Sequence, residues 1–294
     1  MELAEGASKD RGFGRAGGAE PTEYNRGTVP RKFSAAELAL LDVVEGARRW
    51  ELWVAMGVQD LKRRYRRSIL GPLWLTLSLA ILVAALGLLY GRLLNVPLDR
   101  YVPHLALGFI AWQFIQGVVT DSCNVFILHK GWITNARWPL SLFVYKMVLQ
   151  NTLMMAHNAL VYVGVAILFG IFAGLPGLLI IPGLALVFVN AVWVGLLFGA
   201  VCARFRDIPQ IVQSIMRVAF FVTPVIWMPD QLGARAHLAL YNPFTYFVEL
   251  IRAPLLGQVP PVQTWLLALA VTAVGCVVTW LFFVRFRGRV AYWL

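Results

Sequence analysis

The sequence predicts an all-α membrane protein: six transmembrane helices, an N-terminal amphipathic interface helix, and short re-entrant helices between spans five and six. Three observations lead there. The 294 residues are 59% hydrophobic and 14% charged, against about 25% charged in soluble domains. Apolar runs near the ~20 residues needed to cross a bilayer core recur along the chain. Five cations, Lys62, Arg63, Arg64, Arg66 and Arg67, crowd into the six residues ahead of the first run, which favours keeping that end in the cytoplasm.

Residues 1–33 are rich in Gly, Ala, Glu and Arg and read as a disordered cytoplasmic tail. Ser34-Ala-Ala-Glu37 is a capping-box pattern that opens a helix over 34–61. Leu38, Leu41, Val44, Trp50, Trp53 and Val54 recur at helical spacing among charges. Such a helix either lies on the membrane surface or docks on the protein's own cytoplasmic face, and both fit the same pattern. The transmembrane domain then fills 62–294.

Ser68 to Gly91 is a run of 24 residues without a formal charge; as a helix it rises about 36 Å, enough to cross with some tilt. The spans are placed at about 72–94, 103–128 (started by Pro103), 147–173, 176–203, 209–229 and 262–284. Residues 129–146 are expected to form an amphipathic cytoplasmic loop holding a short docking helix, with Trp132, Trp138 and Pro139. Residues 230–261 are too apolar for an exposed loop and too interrupted for a span. Short helices dipping in from the outer face suit them, because non-helical backbone survives at membrane depth only where protein covers it.

Ten of the fifteen acidic residues lie at or before Asp60, so the net charge of +11 belongs to the membrane part and its edges. Inside loops and ends carry Lys62 to Arg67, Lys130, Arg137, Lys146, Arg204, Arg206, Arg285, Arg287 and Arg289; outside loops carry Arg92, Arg100, Arg235 and Arg252. Both termini therefore face the cytoplasm. Charges that flank apolar spans argue for anionic lipid and against nucleic acid as a partner. No secretory signal is expected, since about 70 polar or mixed residues precede the first apolar run. Cys123, Cys202 and Cys276 lack any paired metal or redox spacing.

Asp121 and Arg217 are the formal charges inside spans, at similar depth from the cytoplasmic side. They are either a gating pair, a structural pair, or separate chains reaching for the interface. His157, Asn158 and Asn190 either bond between helices or line a polar path. Trp74, Tyr90, Trp112, Phe114, Trp193, Phe220 and Trp227 either stack on sugar along a substrate path or anchor the interfaces. No phosphate-loop motif occurs, and no two carboxylates, metal-ligand cluster or nucleophile–base pair converge. No cofactor is expected in this chain, and no catalytic residue.

The motifs fall in a familiar order. Asp60-Leu-Lys-Arg-Arg-Tyr-Arg-Arg-Ser-Ile-Leu-Gly-Pro-Leu-Trp74, Arg204-Phe-Arg-Asp-Ile208, Thr223-Pro-Val-Ile-Trp227 and Asn242-Pro-Phe through Arg252 resemble the signatures of ABC-2-type permeases that export polysaccharides. The likeness covers about residues 38–290. Tyr241-Asn-Pro, Arg252-Ala-Pro-Leu-Leu-Gly257 and Arg289-Val-Ala-Tyr-Trp-Leu294 look most like the actinobacterial branch that exports lipid-linked cell-wall galactan. Gln59, where the family often has Arg, departs from the pattern.

The resemblance implies a homodimer in the bacterial plasma membrane that moves lipid-linked polysaccharide outward. Two copies of a separate ABC-type ATPase would carry the ATP and Mg. Lys130, Trp132, Arg137, Trp138 and Pro139 match the segment that receives the ATPase's motion. Lys62, Arg63, Arg64, Arg66 and Arg67 would attract a lipid pyrophosphate or simply anchor the topology. Asn242, Pro243 and Arg252 would belong to the outer gate. A membrane-integrated glycan enzyme such as an acyltransferase is the alternative from another class, and an ion channel a third.

Overall fold

The computed structural model describes residues 33–66, 71, 73–93, 95–136, 138–231, 233, 239 and 241–294, and the statements that follow concern these. The predicted tail at 1–33 (but for its last residue), Arg67, Pro72 and Arg137 lie outside the described residues. All regular structure among the described residues is helical.

Two helices stand where one interface helix was predicted: α1 (Ala35–Arg48) and α2 (Trp50–Tyr65), separated at Arg49. Each buries a narrow face, Ala39, Asp42 and Gly46 in α1 and Gly57 in α2. Both pack on α7 (Leu140–Phe169). Leu38, Leu40, Leu41, Val44, Trp50 and Leu52 remain exposed. The pair is thus docked on the protein and still offers an apolar face outward.

The charge-free run becomes α3 (Leu73–Leu93). The second span is α4 (Leu98–Ser122), which starts after Pro97 rather than at Pro103. Pro103 sits in the second turn, where its missing N–H removes a single hydrogen bond near an already frayed end. This helix is the central post of the molecule. The most apolar stretch of α4 is 72% buried, that of α3 only 17%.

A broken connection, α5 (Val125–Leu128) and α6 (Lys130–Asn135), leads from α4 to α7. The third span begins at Leu140, seven residues before the predicted boundary, so Leu140 to Lys146 belong to the helix and not to the loop. Its 30 residues span about 45 Å, longer than the ~30 Å bilayer core. Gly170 ends it in the left-handed conformation, at φ +64°. A 3-10 turn (Leu175–Leu179) then feeds α8 (Ile180–Arg204).

Where a fifth span was predicted over 209–229, α9 (Ile208–Val222) has 15 residues, about 22 Å. The helix stops at Thr223-Pro224, since the residue before proline is pushed toward extended backbone. A further helix, α10 (Pro243–Leu255), lies within the 230–261 stretch, and α11 (Val262–Phe286) is the last long helix. The chain closes with a 3-10 turn and α12 (Val290–Trp293). Five helical stretches among the described residues are long and apolar enough to cross a membrane: α3, α4, α7, α8 with its leading turn, and α11 with its tail.

Side-chain contacts fix the directions. Asn190 donates to Thr272 at 2.7 Å, and Thr279 donates to the Trp193 carbonyl at 3.4 Å, so α8 and α11 run parallel. Arg204 at the end of α8 stacks over Trp293, 5.7 Å from its ring centre. The ends of α4, α8 and α11, the start of α7 and both α1 and α2 thus gather at one end, here termed the basic end. At the opposite end α10 presses against the start of α8. A Cβ on Gly183 would lie 2.6 Å from the Leu250 carbonyl oxygen, so only glycine permits that approach.

In a lipid core, burying a side chain gains little transfer energy, and packing plus interhelical hydrogen bonds of about 0.6 kcal/mol each hold helices together. The core accordingly combines interlocked aromatics with a few polar ties. Trp112 is buried between Phe220 and Phe244, with ring centres 5.7 and 5.6 Å away. Tyr101 donates to the Ile226 carbonyl at 2.7 Å, fastening α4 to the stretch after α9. Cys123 and Cys202 are buried and Cys276 half-buried.

Candidate functional site

At the basic end the 123–139 connection is fastened from three sides. Pro139 precedes α7 and has no side chain that can cap it, so the first N–H groups of that helix need an acceptor from elsewhere. Asp42 of α1 supplies it: its two carboxylate oxygens accept from the Leu140 and Ser141 amides at 3.1 and 3.0 Å. Ser141 Oγ donates in return to the Asp42 carbonyl at 2.6 Å. Arg287, just after α11, donates from Nε to the same carboxylate at 2.6 Å. One buried acid thereby ties α1, α7 and the C-terminal segment together.

Lys146 makes the second fastening. It is 4% exposed, pairs with Asp60 of α2 and donates to His129 Nε2 at 2.8 Å. His129 Nδ1 lies 2.6 Å from the Val125 carbonyl, so the proton sits on Nδ1 and the imidazole is neutral. Burial first, and the Lys146 cation with it, hold its pKa below the ordinary histidine value, against the opposing Val125 carbonyl and Asp60 carboxylate. The third fastening is Lys130, whose ammonium donates to the Leu294 carbonyl.

Of the predicted coupling residues, Lys130, Trp132, Trp138 and Pro139 therefore sit on one mounted ledge. Trp132 is 54% exposed and meets Trp138 edge to face with ring centres 6.3 Å apart. Arg49 lies 5.2 Å over the Trp138 ring. A ledge held at Asp42, Lys146 and Leu294, with an indole left outside, can pass a push on its surface to α1, α7 and α11.

Behind the ledge a cavity of about 900 Å³ opens between α2, α3, α4 and α7. Its mouth is charged, with Asp60, Arg63, Arg64, Asp121 and Lys146, and its deeper wall carries Ser78, Gln113, Asn158 and methionines. Arg63 and Arg64 have no ion pair among the described residues, and both are exposed. Lys62 and Arg66 are exposed as well, and neither lines the cavity.

Asp121 does not pair with Arg217. Its carboxylate accepts from Asn151 Nδ2 at 3.0 Å, while Arg217 is exposed on α9. Gly117 makes the Asn151 position possible, since a Cβ there would lie 2.2 Å from Asn151 Oδ1. Deeper, Asn158 Nδ2 donates to Gln113 Oε1 at 2.7 Å, and Asn158 Oδ1 is buried with no partner. An orphaned acceptor of this kind costs about 1–3 kcal/mol. His157 is satisfied by its own helix, with Nδ1 2.7 Å from the Leu153 carbonyl.

The predicted path aromatics do not converge on one surface. Trp74 is exposed at the start of α3, Trp112 and Phe114 are core residues, and Phe220 packs on Trp112. Trp193 covers Gly275 and donates to Asn190 Oδ1 at 2.8 Å. Trp227 donates to the Phe221 carbonyl at 3.0 Å. Phe114 alone among the six lines the cavity. Their depth reflects aromatic packing between helices, which sequence position cannot separate from a lining role.

At the opposite end two of the predicted gate residues, Asn242 and Arg252, reach neighbouring residues after α9, Thr223 and Pro224. Asn242 caps α10 by accepting from the Phe244 amide at 3.0 Å, and its Nδ2 donates to Thr223 Oγ1 at 2.8 Å. Pro243 occupies the first turn of α10, where no N–H is needed. Arg252 is 2% exposed. It donates to Glu249 at 2.6 and 3.0 Å, to His104 Nε2 at 3.0 Å and to the Pro224 carbonyl at 2.7 Å. A single guanidinium thus joins α10, α4 and the stretch after α9.

Sequence reasoning missed Asp42, His129, Gln113 and Asn151. Asp42 had a legible signal, an α7 start lacking its own cap; the amides had none, because a neutral residue on an apolar helix declares no direction.

A family profile described as ABC-2 type transporter matches residues 51–256. Among curated proteins, two O-antigen export system permease proteins RfbA of Klebsiella pneumoniae are 24% and 23% identical over 205 residues. Each alignment covers 68% of this chain and 78% of the relative. A protein of the same name from Myxococcus xanthus is 23% identical over 244 residues, 78% of this chain and 88% of its own length.

Proposed function

Because the chain belongs to the ABC-2 type transporter family, we propose that it is the membrane subunit of an ATP-driven exporter of lipid-linked polysaccharide. The carrying observation is the ledge of Lys130, Trp132, Trp138 and Pro139, fastened to α1, α7 and the C-terminal segment at the basic end and exposing Trp132. A membrane protein with no phosphate-loop motif needs such a surface to receive work from a nucleotide-hydrolysing partner. In this reading two copies of an ABC-type ATPase bind the basic end of a homodimer, and ATP and Mg reside on them.

The basic end faces the cytoplasm, as the Lys and Arg bias of its loops favours. Both α8 and α11 end there, so the chain between Arg204 and Val262 returns to the opposite face. We assign that return to α9 with the residues after it as a sixth crossing, and α10 to a re-entrant outer gate locked by Arg252. Arg63 and Arg64, with Lys62, Arg66 and Arg67 around them, receive the lipid pyrophosphate at the inner interface. The bacterial relatives are named as O-antigen export permeases, and a lipid-linked cell-wall galactan is the cargo that the C-terminal motifs favour.

Co-purification with the ABC-type ATPase and reconstitution into liposomes test this. ATP-dependent inward movement of lipid-linked galactan into inside-out vesicles is expected. Trp132→Ala lowers glycan-stimulated ATP turnover at least about tenfold, the effect of ~1.4 kcal/mol of lost coupling, with helicity unchanged. Movement without nucleotide, or acylation of glycan by the purified chain alone, would sink the proposal.

A further inference from the structure

For a helix in lipid, α9 is built inside out. Its buried residues, Val212 and Met216, are one turn apart on one face. Gln210, Gln213, Ser214 and Arg217 recur at spacings of three and four and share a second face, turned about 130° away at 3.6 residues per turn. All four are exposed. A helix in a membrane ordinarily has the reverse order, with its polar groups toward protein and its apolar ones toward lipid. Beside this polar ridge Ile211, Ile215, Val218 and Val222 form an exposed apolar flank.

Depth makes the ridge costly. Arg217 stands nine residues past Ile208, the first residue of α9, about 14 Å along the helix. Ile208 follows the charged Arg204-Phe-Arg-Asp207 at the basic end, so Arg217 lies close to the middle of a core ~30 Å thick. Neither interface is within easy reach of its side chain there. Ser214 Oγ is satisfied by the Gln210 carbonyl at 3.0 Å. The side chains of Gln210, Gln213 and Arg217 have no hydrogen bond or ion pair to any described residue, and Asp121 is held by Asn151. A charge at that depth faces protein or a water-filled cavity, and a single copy offers Arg217 neither.

We infer that the α9 ridges of two copies of this chain face each other across a water-filled conduit, and that Arg217 is its charge barrier, passing neutral and anionic solutes while turning back cations. The inference rests on the exporter reading, for α9 as a crossing and for the second copy, and adds to it an ion-selective step that neither coupling nor cargo binding supplies. Two-fold symmetry brings both guanidiniums to one depth, where their mutual repulsion keeps them apart and hydrated. Gln210, Gln213 and Ser214 form the uncharged wall on the side of the basic end. A cation fixed in a narrow polar passage rejects other cations electrostatically, so a route wide enough for a large solute stays closed to leaking cations.

Substituted-cysteine accessibility tests this on the full-length chain in liposomes, with Cys123, Cys202 and Cys276 replaced by Ala. The thiol of a Gln213→Cys variant is treated from both sides with an anionic and a cationic methanethiosulfonate. Both are expected to react, with the anionic reagent favoured about tenfold over its ratio on free cysteine, the effect of a unit charge about 6 Å away in water on reagents of opposite sign. Arg217→Gln removes that preference, and Arg217→Lys keeps it. A bismaleimide links two copies through Gln213→Cys and not through Val274→Cys, which is exposed on α11. Should Gln213→Cys fail to assemble, Ser214→Cys on the same ridge carries the test. A thiol that neither reagent reaches shows the ridge to be coated by lipid and overturns the inference. So does a preference that survives Arg217→Gln, or linking through Val274→Cys in place of Gln213→Cys. No ATPase is present in this assay, so its failure leaves ATP-driven export standing, and failed export leaves a measured charge preference standing.

Discussion

Asp42 concentrates more of the basic end in one side chain than any other described residue. It is 1% exposed, neutralises Arg287 and caps the longest helix. Asp42→Ala strands two helix N–H groups and a half-buried guanidinium, and should cost about 3 kcal/mol; thermal unfolding in detergent measures it, and Asp42→Asn should recover part. His129 gives a pH signature. Its folded pKa is depressed, so its charging cost is absent above the ordinary value of about 6.5 and grows as pH falls from there toward the folded value. Lowering pH from about 7.5 to about 5.5 should therefore reduce the unfolding temperature, and reduce it less in His129→Gln.

At the scale of elements, α10 is the test of how a short helix keeps its place without spanning anything. It is fixed by an Asn242 cap, the Gly183 approach and the Arg252 cluster. Arg252→Met leaves Glu249 and the Pro224 carbonyl without their donor and should cost about 3–5 kcal/mol. Proteolysis between residues 223 and 262 reads this directly, with cleavage expected in the variant under conditions that spare the wild-type chain. The long helices were legible in sequence because twenty apolar residues without charge allow little else. The break at Arg49 was not, since Gly46, the nearest breaker, stays inside α1 and the apolar spacing continues across the break. Pro103 misled for the opposite reason: a proline near a helix start is tolerated one turn further in when Pro97 already sets the boundary.

For the whole molecule, the gathering of α1, α2, the 123–139 ledge and the C-terminal segment at one end makes orientation a single question. Tyr292 is 88% exposed at that end. With the native cysteines replaced, Tyr292→Cys should react with a membrane-impermeant maleimide in inside-out vesicles and stay unlabelled in intact cells, and the reverse pattern would overturn the cytoplasmic assignment. Charge bias along the sequence carried this expectation because it is a global property that needs no contacts. The pairing of Asp121 was beyond it: two charges at equal depth read alike whether they touch or not, and only the α4–α7 spacing set by Gly117 shows Asn151 as the partner.

The ion pairs of the two ends are built alike, a sealed group held by a partner that reaches solvent, and that sets how the protein answers to ionic strength. Asp60 and Arg287 are 38% and 30% exposed, within reach of mobile ions whose screening length shortens from about 10 Å at 0.1 M to about 3 Å at 1 M. At the far end Arg252 is sealed from them, but its partner Glu249 is 28% exposed. Concentrated salt should consequently weaken the ion pairs of both ends to a similar degree, leaving the bonds from Arg252 to His104 and to the Pro224 carbonyl to hold the far end.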